Sequence, residues 1–112
     1  MRIVDGPTFL ALPPGTVFSV YKPAYTSGLL IKGETTKYRN YWSADLTYPD
    51  TEQDDAGWID LAQRMEQGED SGPIHFAEDR SIAEESDLFM VYEREDVEAL
   101  ISALSAALAE EG

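Results

Sequence analysis

The sequence predicts an α+β domain, a mostly antiparallel sheet of four to six strands with two helices packed on one face. The strongest observation is periodic: across residues 94–110, Val97, Leu100, Ile101, Leu104 and Leu108 recur at steps of three, one, three and four, so they stack on one face of an amphipathic helix. Ahead of it lie several short runs of β-branched and aromatic residues separated by proline and glycine. The resulting element order, ββββ-α-(β)-β-α, places most strands before the helices. With 112 residues and 43% hydrophobic content, the chain makes one domain with a core that needs no metal or disulfide staple.

In chain order, residues 8–12 and 16–22 read as a β-hairpin around Pro13-Pro14-Gly15. There Pro14 presets one central turn position and Gly15 supplies positive φ at the next. Residues 23–28 form a loop, and residues 29–33 a third strand whose Gly33 marks a bulge or its end. After a turn near residues 34–37, a longer strand spans residues 38–48, with Trp42, Ala44, Leu46 and Tyr48 on one side and Tyr41, Ser43, Asp45 and Thr47 on the other. Asp54 or Asp55 can cap a helix that runs to about Gln67 and ends at Gly68, with Trp58, Leu61, Ala62 and Met65 on its apolar face. Residues 69–86 read as a polar loop, broken by a short edge strand at residues 73–76 and by capping-box spacing at Ser81-Ile82-Ala83-Glu84 that can start a helical turn. Residues 88–93 are apolar on both faces, hence a central strand covered on both sides. In the last helix, Glu95, Asp96 and Glu98 meet the positive end of the macrodipole.

Charge is the unusual property. The net charge is −14, and it is unevenly placed: residues 1–44 hold five cations against two acids, while residues 45–98 hold three cations against eighteen. Such a field repels phosphate backbones at the acidic end and steers basic proteins toward it, in a salt-dependent way. The acids singled out as a partner-binding surface are Asp54, Asp55, Asp60, Glu66, Glu69, Asp70, Glu78, Asp79, Glu84, Glu85 and Asp87, on helix surface and loops. A surface evolved only for solubility, or salt adaptation, would have the same composition.

Candidate chemistry is sparse. His75 is the one histidine and cysteine is absent, so neither a zinc site nor a thiol nucleophile is indicated, and the missing cysteines fit a reducing compartment such as the cytoplasm. Residues 50–54 begin like a calcium loop, but Asp55 occupies the position that requires glycine and Leu61 the position that requires a bidentate glutamate. No glycine-rich phosphate loop and no Gly-x-Ser-x-Gly elbow occurs. The expectation is a protein that is not an enzyme and uses no cofactor or metal. No apolar run has membrane-spanning length, and no signal-peptide h-region follows Met1. The outer face of the last helix, Ala99, Ser102, Ala103, Ala106 and Ala109, is small and uncharged; it would permit close approach of a second helix, hence a homodimer through that helix.

Residues 9–18, Phe9-Leu10-Ala11-Leu12-Pro13-Pro14-Gly15-Thr16-Val17-Phe18, with Leu30-Ile31-Lys32-Gly33-Glu34-Thr35, resemble small acidic accessory proteins encoded by phages and prophages, a setting that includes anti-CRISPR inhibitors. The resemblance covers the first third of the chain and residues 88–93, and carries over no functional residue. It implies a phage setting in a host cytoplasm. Together with the charge, it leads to the expectation of a non-enzymatic inhibitor that binds a basic nucleic-acid-binding protein of the host, a CRISPR effector being one such partner, through an acidic, DNA-mimicking surface. On that reading the protein contacts neither nucleic acid nor membrane directly. The alternative is an accessory or structural phage protein whose acidity serves only solubility; an immunity protein against a nuclease would look similar.

Overall fold

The computed structural model describes residues 1–23, 25–47, 55–72, 74, 76 and 78–111. Among the described residues the chain forms one antiparallel sheet and three helices, the expected α+β class. The strands are β1 (Arg2–Asp5), β2 (Val17–Lys22), β3 (Tyr25–Thr26), β4 (Leu30–Thr35), β5 (Asn40–Asp45), β6 (Glu78–Ile82) and β7 (Leu88–Tyr92). The helices are α1 (Gly6–Leu10), α2 (Asp55–Glu66) and α3 (Arg94–Glu111). Strand order is β1-β7-β2-β4-β5-β6, and the two-residue β3 pairs on the end of β2. The edges are therefore β1 and β6.

The first segment differs from the hairpin expected there. Asp5 caps a helical turn instead: its Oδ1 accepts from the Thr8 backbone N–H at 2.9 Å, and Pro7 occupies the first turn, where its missing N–H costs nothing. Helix α1 thereby delivers Phe9 to the core, and residues 2–5 become an edge strand paired along β7. The Pro13–Thr16 turn is as expected: Thr16 N–H donates to the Pro13 carbonyl at 3.3 Å and Gly15 has φ of 93°.

The core is aromatic. Phe9 is 0% exposed, stacked on Phe89 at 3.9 Å between ring centroids, 4.6 Å from Phe18 and edge-on to Tyr41 at 5.0 Å. Lys32, 2% exposed, sets its Nζ 5.7 Å from the Phe9 ring centre and donates to the Gly33 carbonyl at 3.1 Å and Thr35 Oγ1 at 2.8 Å. Burial without a carboxylate partner pushes the Lys32 ammonium below its ordinary pKa. On β5 the buried side is Tyr41 and Ser43, while Trp42 is only half-buried. The irregularity expected at Gly33 is real, since the β4–β5 register shifts between Lys32 and Thr35. The turn into β5 is built by Tyr38 and Arg39, both left-handed at φ of 59° and 64°.

Helix α2 follows its sequence pattern closely. Leu61 is buried, Trp58, Ala62 and Met65 are half-buried, and Asp60, Gln63, Arg64 and Gln67 are exposed. Gly68, at φ of 102°, closes it, with Gly68 N–H donating to the Met65 carbonyl and Glu69 N–H to the Arg64 carbonyl.

Two further segments differ from expectation. The polar loop assigned to residues 69–86 contains strand β6, which pairs with β5 from Asn40↔Ile82 to Ala44↔Glu78. Residues 81–84 accordingly start no helical turn: Ser81 and Ile82 belong to the strand, and Ala83 is buried beyond it, its N–H held by the Arg39 carbonyl at 2.9 Å. Ile74 and Phe76 are exposed and outside any strand; Pro73 lies outside the described residues. Helix α3 forms as expected, but the sheet covers only its root. Val97 and Leu100 are half-buried, whereas Ile101, Leu104 and Leu108 are 58%, 72% and 71% exposed, and every residue from 101 to 110 faces solvent.

Candidate acidic interface

The acids singled out from the sequence fall into two groups. Asp54 lies outside the described residues, as do His75 and residues 50–53, and Asp55 begins α2. Along α2 and the turn that closes it, Asp60, Glu66, Glu69 and Asp70 are all exposed. One cation stands among them: Arg64 bridges Asp60 through Nε at 3.1 Å and Glu69 through Nη1 at 3.6 Å. Asp70 Oδ1 accepts the Gly72 N–H at 2.9 Å, which fixes the turn and keeps the charge in water.

The second group follows β6. Glu78 and Asp79 were expected on a loop and sit instead on the edge strand, where successive side chains point to opposite faces. Glu78 and Arg80 share the face of Ala44 and Trp42, while Asp79 shares that of Ser43 and Tyr41. The two carboxylates therefore cannot act as one patch. Charges along such an edge also discourage pairing with a foreign strand.

Past β6, the fold brings cations from the basic half against the acids. Arg39 Nη2 meets Glu85 Oε1 at 3.2 Å, since the left-handed turn before β5 aims it there. Lys22 Nζ meets Asp87 Oδ1 at 3.6 Å, and Asp87 Oδ2 accepts the Glu84 N–H at 2.8 Å, so this half-buried aspartate organises the turn into β7. Glu84 remains exposed. The same matching operates at the other edge, where Arg2 Nε contacts Glu93 at 2.7 Å, and the Met1 ammonium contacts Asp96 Oδ2, also at 2.7 Å. The hydrogen bond from the amino terminus, then that from Glu93 N–H, holds the Asp96 carboxyl below its usual range.

What sequence reading missed is the pair of cations, Arg39 and Lys22, that answers Glu85 and Asp87. Arg64 was legible, four residues after Asp60 on one helix. Among the described residues, no three acidic or imidazole side chains converge as metal ligands do. The pocket beside this turn, about 380 Å³, is lined by Asp5, Leu10, Arg39, Ala83, Glu84 and Glu85 and mixes both signs of charge. Among the described residues, the exposed side of α2 with residues 69–70 gathers four carboxylates around one cation, Arg64, which bridges two of them. Comparison with protein-family models, curated proteins and solved structures finds no match to this chain.

Proposed function

We propose that this protein is a non-enzymatic inhibitor of phage origin that binds a host nucleic-acid-binding protein, a CRISPR effector being one such partner, by presenting an acidic surface in place of a nucleic-acid backbone. The observation that carries this reading is the imbalance on α2: among the described residues, Asp60, Glu66, Glu69 and Asp70 are exposed around one cation, Arg64, which bridges Asp60 and Glu69 and leaves Glu66 and Asp70 unanswered, while Glu85, Asp87 and Glu93 are met by Arg39, Lys22 and Arg2. A cleft that binds duplex DNA is lined with Lys and Arg to neutralise one charge per ~1.7 Å of helix axis, and a rigid acidic helix can occupy it. The action is then steric and electrostatic blockade in the host cytoplasm, with no bond made or broken.

The test uses two neutralised variants. Asp60→Asn, Glu66→Gln, Glu69→Gln and Asp70→Asn together remove charge while nearly preserving shape; Glu78→Gln, Asp79→Gln, Glu84→Gln and Glu85→Gln form the comparison set. With a partner captured from host lysate at low salt, the first set slows association and flattens its salt dependence, because steering acts mainly on the on-rate. The second set has the smaller effect, since Arg39 already offsets Glu85 and β6 splits its charges between two faces. Binding that survives both sets unchanged leaves the acids as a solubility device and defeats the proposal.

A further inference from the structure

The fold leaves an apolar stripe of Ile101, Leu104 and Leu108 exposed along α3. In a chain of net charge −14, residues 99–109 contain no charged residue at all. An uncharged helix segment is a surface over which two copies of so acidic a molecule approach with little like-charge repulsion. The stripe also has the spacing of a helix–helix seam: Val97, Ile101, Leu104 and Leu108 follow steps of four, three and four, a period of 3.5.

We propose that α3 pairs with α3 of a second copy of this chain, antiparallel, about a two-fold axis between residues 102 and 103. This register is self-complementary. Each Ile101 meets Leu104 of the other copy and each Val97 meets its Leu108, so every layer sets a β-branched side chain against a leucine. Arg94 falls opposite position 111, a glutamate, while Glu95 and Glu110 take outer positions away from the seam. Antiparallel pairing also opposes the two macrodipoles and separates the acidic first turns by the length of the helix, whereas parallel pairing would set the two acidic first turns side by side. The structure offers a seat for the end of the partner helix as well. A groove of about 500 Å³ at the root of α3 is lined by Leu12, Val17, Val91 and Val97, with the ion pairs Arg2–Glu93 and Arg94–Glu98 beside them, and Leu108 of the second copy arrives at its mouth in this register. The contact moves from the alanine face expected from sequence to the leucine face, because the sheet leaves that face bare. Helix and groove together form a small interface, so the dimer dissociates in the micromolar range or weaker.

Sedimentation equilibrium from micromolar to millimolar concentration should show the mass rising from 12.5 kDa toward twice that value. Ile101→Glu with Leu104→Glu should hold the chain monomeric with an unchanged circular dichroism spectrum, since both positions face solvent in the single chain. Ala103→Glu, on the outer face, should leave association intact. Orientation is read by cysteine pairing, which the cysteine-free sequence permits: Val97→Cys and Leu108→Cys proteins, mixed under mild oxidation, should give chiefly the mixed disulfide. Disulfides formed within each variant alone mean parallel pairing and overturn the register. A chain that stays monomeric at every concentration, or whose stripe binds zwitterionic vesicles instead, overturns the dimer.

Discussion

Replacing Phe9 by alanine empties the centre of the core, and the structure sets the size of the effect. The ring is fully buried and touches three other aromatic rings, stacked on Phe89 and tilted or edge-on to Phe18 and Tyr41. Buried Phe→Ala changes cost about 3–5 kcal/mol in transfer and cavity terms. This site belongs at the upper end. Aromatic pairs add about 0.5–1.5 kcal/mol beyond their area, and the Lys32 ammonium loses the ring face beneath it. The residue sits on a five-residue helix whose other anchors are the Asp5 cap, the packing of Leu10 and the bond from Thr35 Oγ1 to the Leu10 carbonyl, which hold its backbone in place and limit collapse into the cavity. The expected loss is about 4–5 kcal/mol, out of a total typically near 5–15 kcal/mol, with a fall in Tm of roughly 15–20 °C. Urea unfolding followed by Trp42 and Trp58 fluorescence measures it. Phe9→Leu should recover more than half. A loss under about 1 kcal/mol, well below the range of about 3–5 kcal/mol for such changes, would refute the role given to α1.

Three other outcomes are expected. Because burial lowers the Lys32 pKa, the unfolded chain holds this proton more tightly, so stability should rise with pH from the depressed folded value up to the unfolded value near 10.5. Lys32→Met should abolish that rise in urea midpoints between pH 7 and 10; Tyr41, whose pKa is raised by burial, opposes only above its ordinary value of 10.0. Asp96, depressed by its bonds to the amino terminus and Glu93 N–H, contributes stability that is present above its unfolded value near 3.8 and lost as pH falls through the lower folded value. Asp96→Asn should thus lower Tm at pH 7, with the difference from wild type shrinking in acid. Finally, repulsion within a net charge of −14 should let moderate salt raise Tm, since exposed ion pairs such as Arg94–Glu98 and Arg39–Glu85 are worth only about 0–1 kcal/mol each; a steady fall with salt means the bridges outweigh the repulsion.

Local signals were legible wherever one element could satisfy them. Helix α2, its glycine stop, the Pro13–Thr16 turn and the shift near Gly33 all follow from residues within a few positions of each other. Residues 8–12 were misleading because their β-forming composition competes with a cap three residues upstream, and the Asp5 bond to Thr8 N–H wins. Strand β6 was invisible for the opposite reason: Glu-Asp-Arg-Ser-Ile has little strand character, and only pairing with β5 over five residues makes it one. Helix α3 shows the limit of periodicity, which reports an apolar face and says nothing of what covers it. At the acidic surface, exposure was readable from composition. The cations were not, since Lys22 reaches Asp87 through the β2–β7 register and Arg39 reaches Glu85 across 46 residues of chain.

Competition between this protein and nucleic acid for one basic cleft is the central claim, and displacement measures it directly. A nucleic-acid-binding protein captured from host lysate is loaded with fluorescent duplex DNA, and the anisotropy is followed as this protein is added at low and at physiological salt. Wild type should release the DNA in a salt-weakened, saturable way, and the chain neutralised at Asp60, Glu66, Glu69 and Asp70 should need far more protein to do so. If the DNA stays bound while the captured protein also holds this chain, the two occupy different surfaces and the acidic helix mimics nothing.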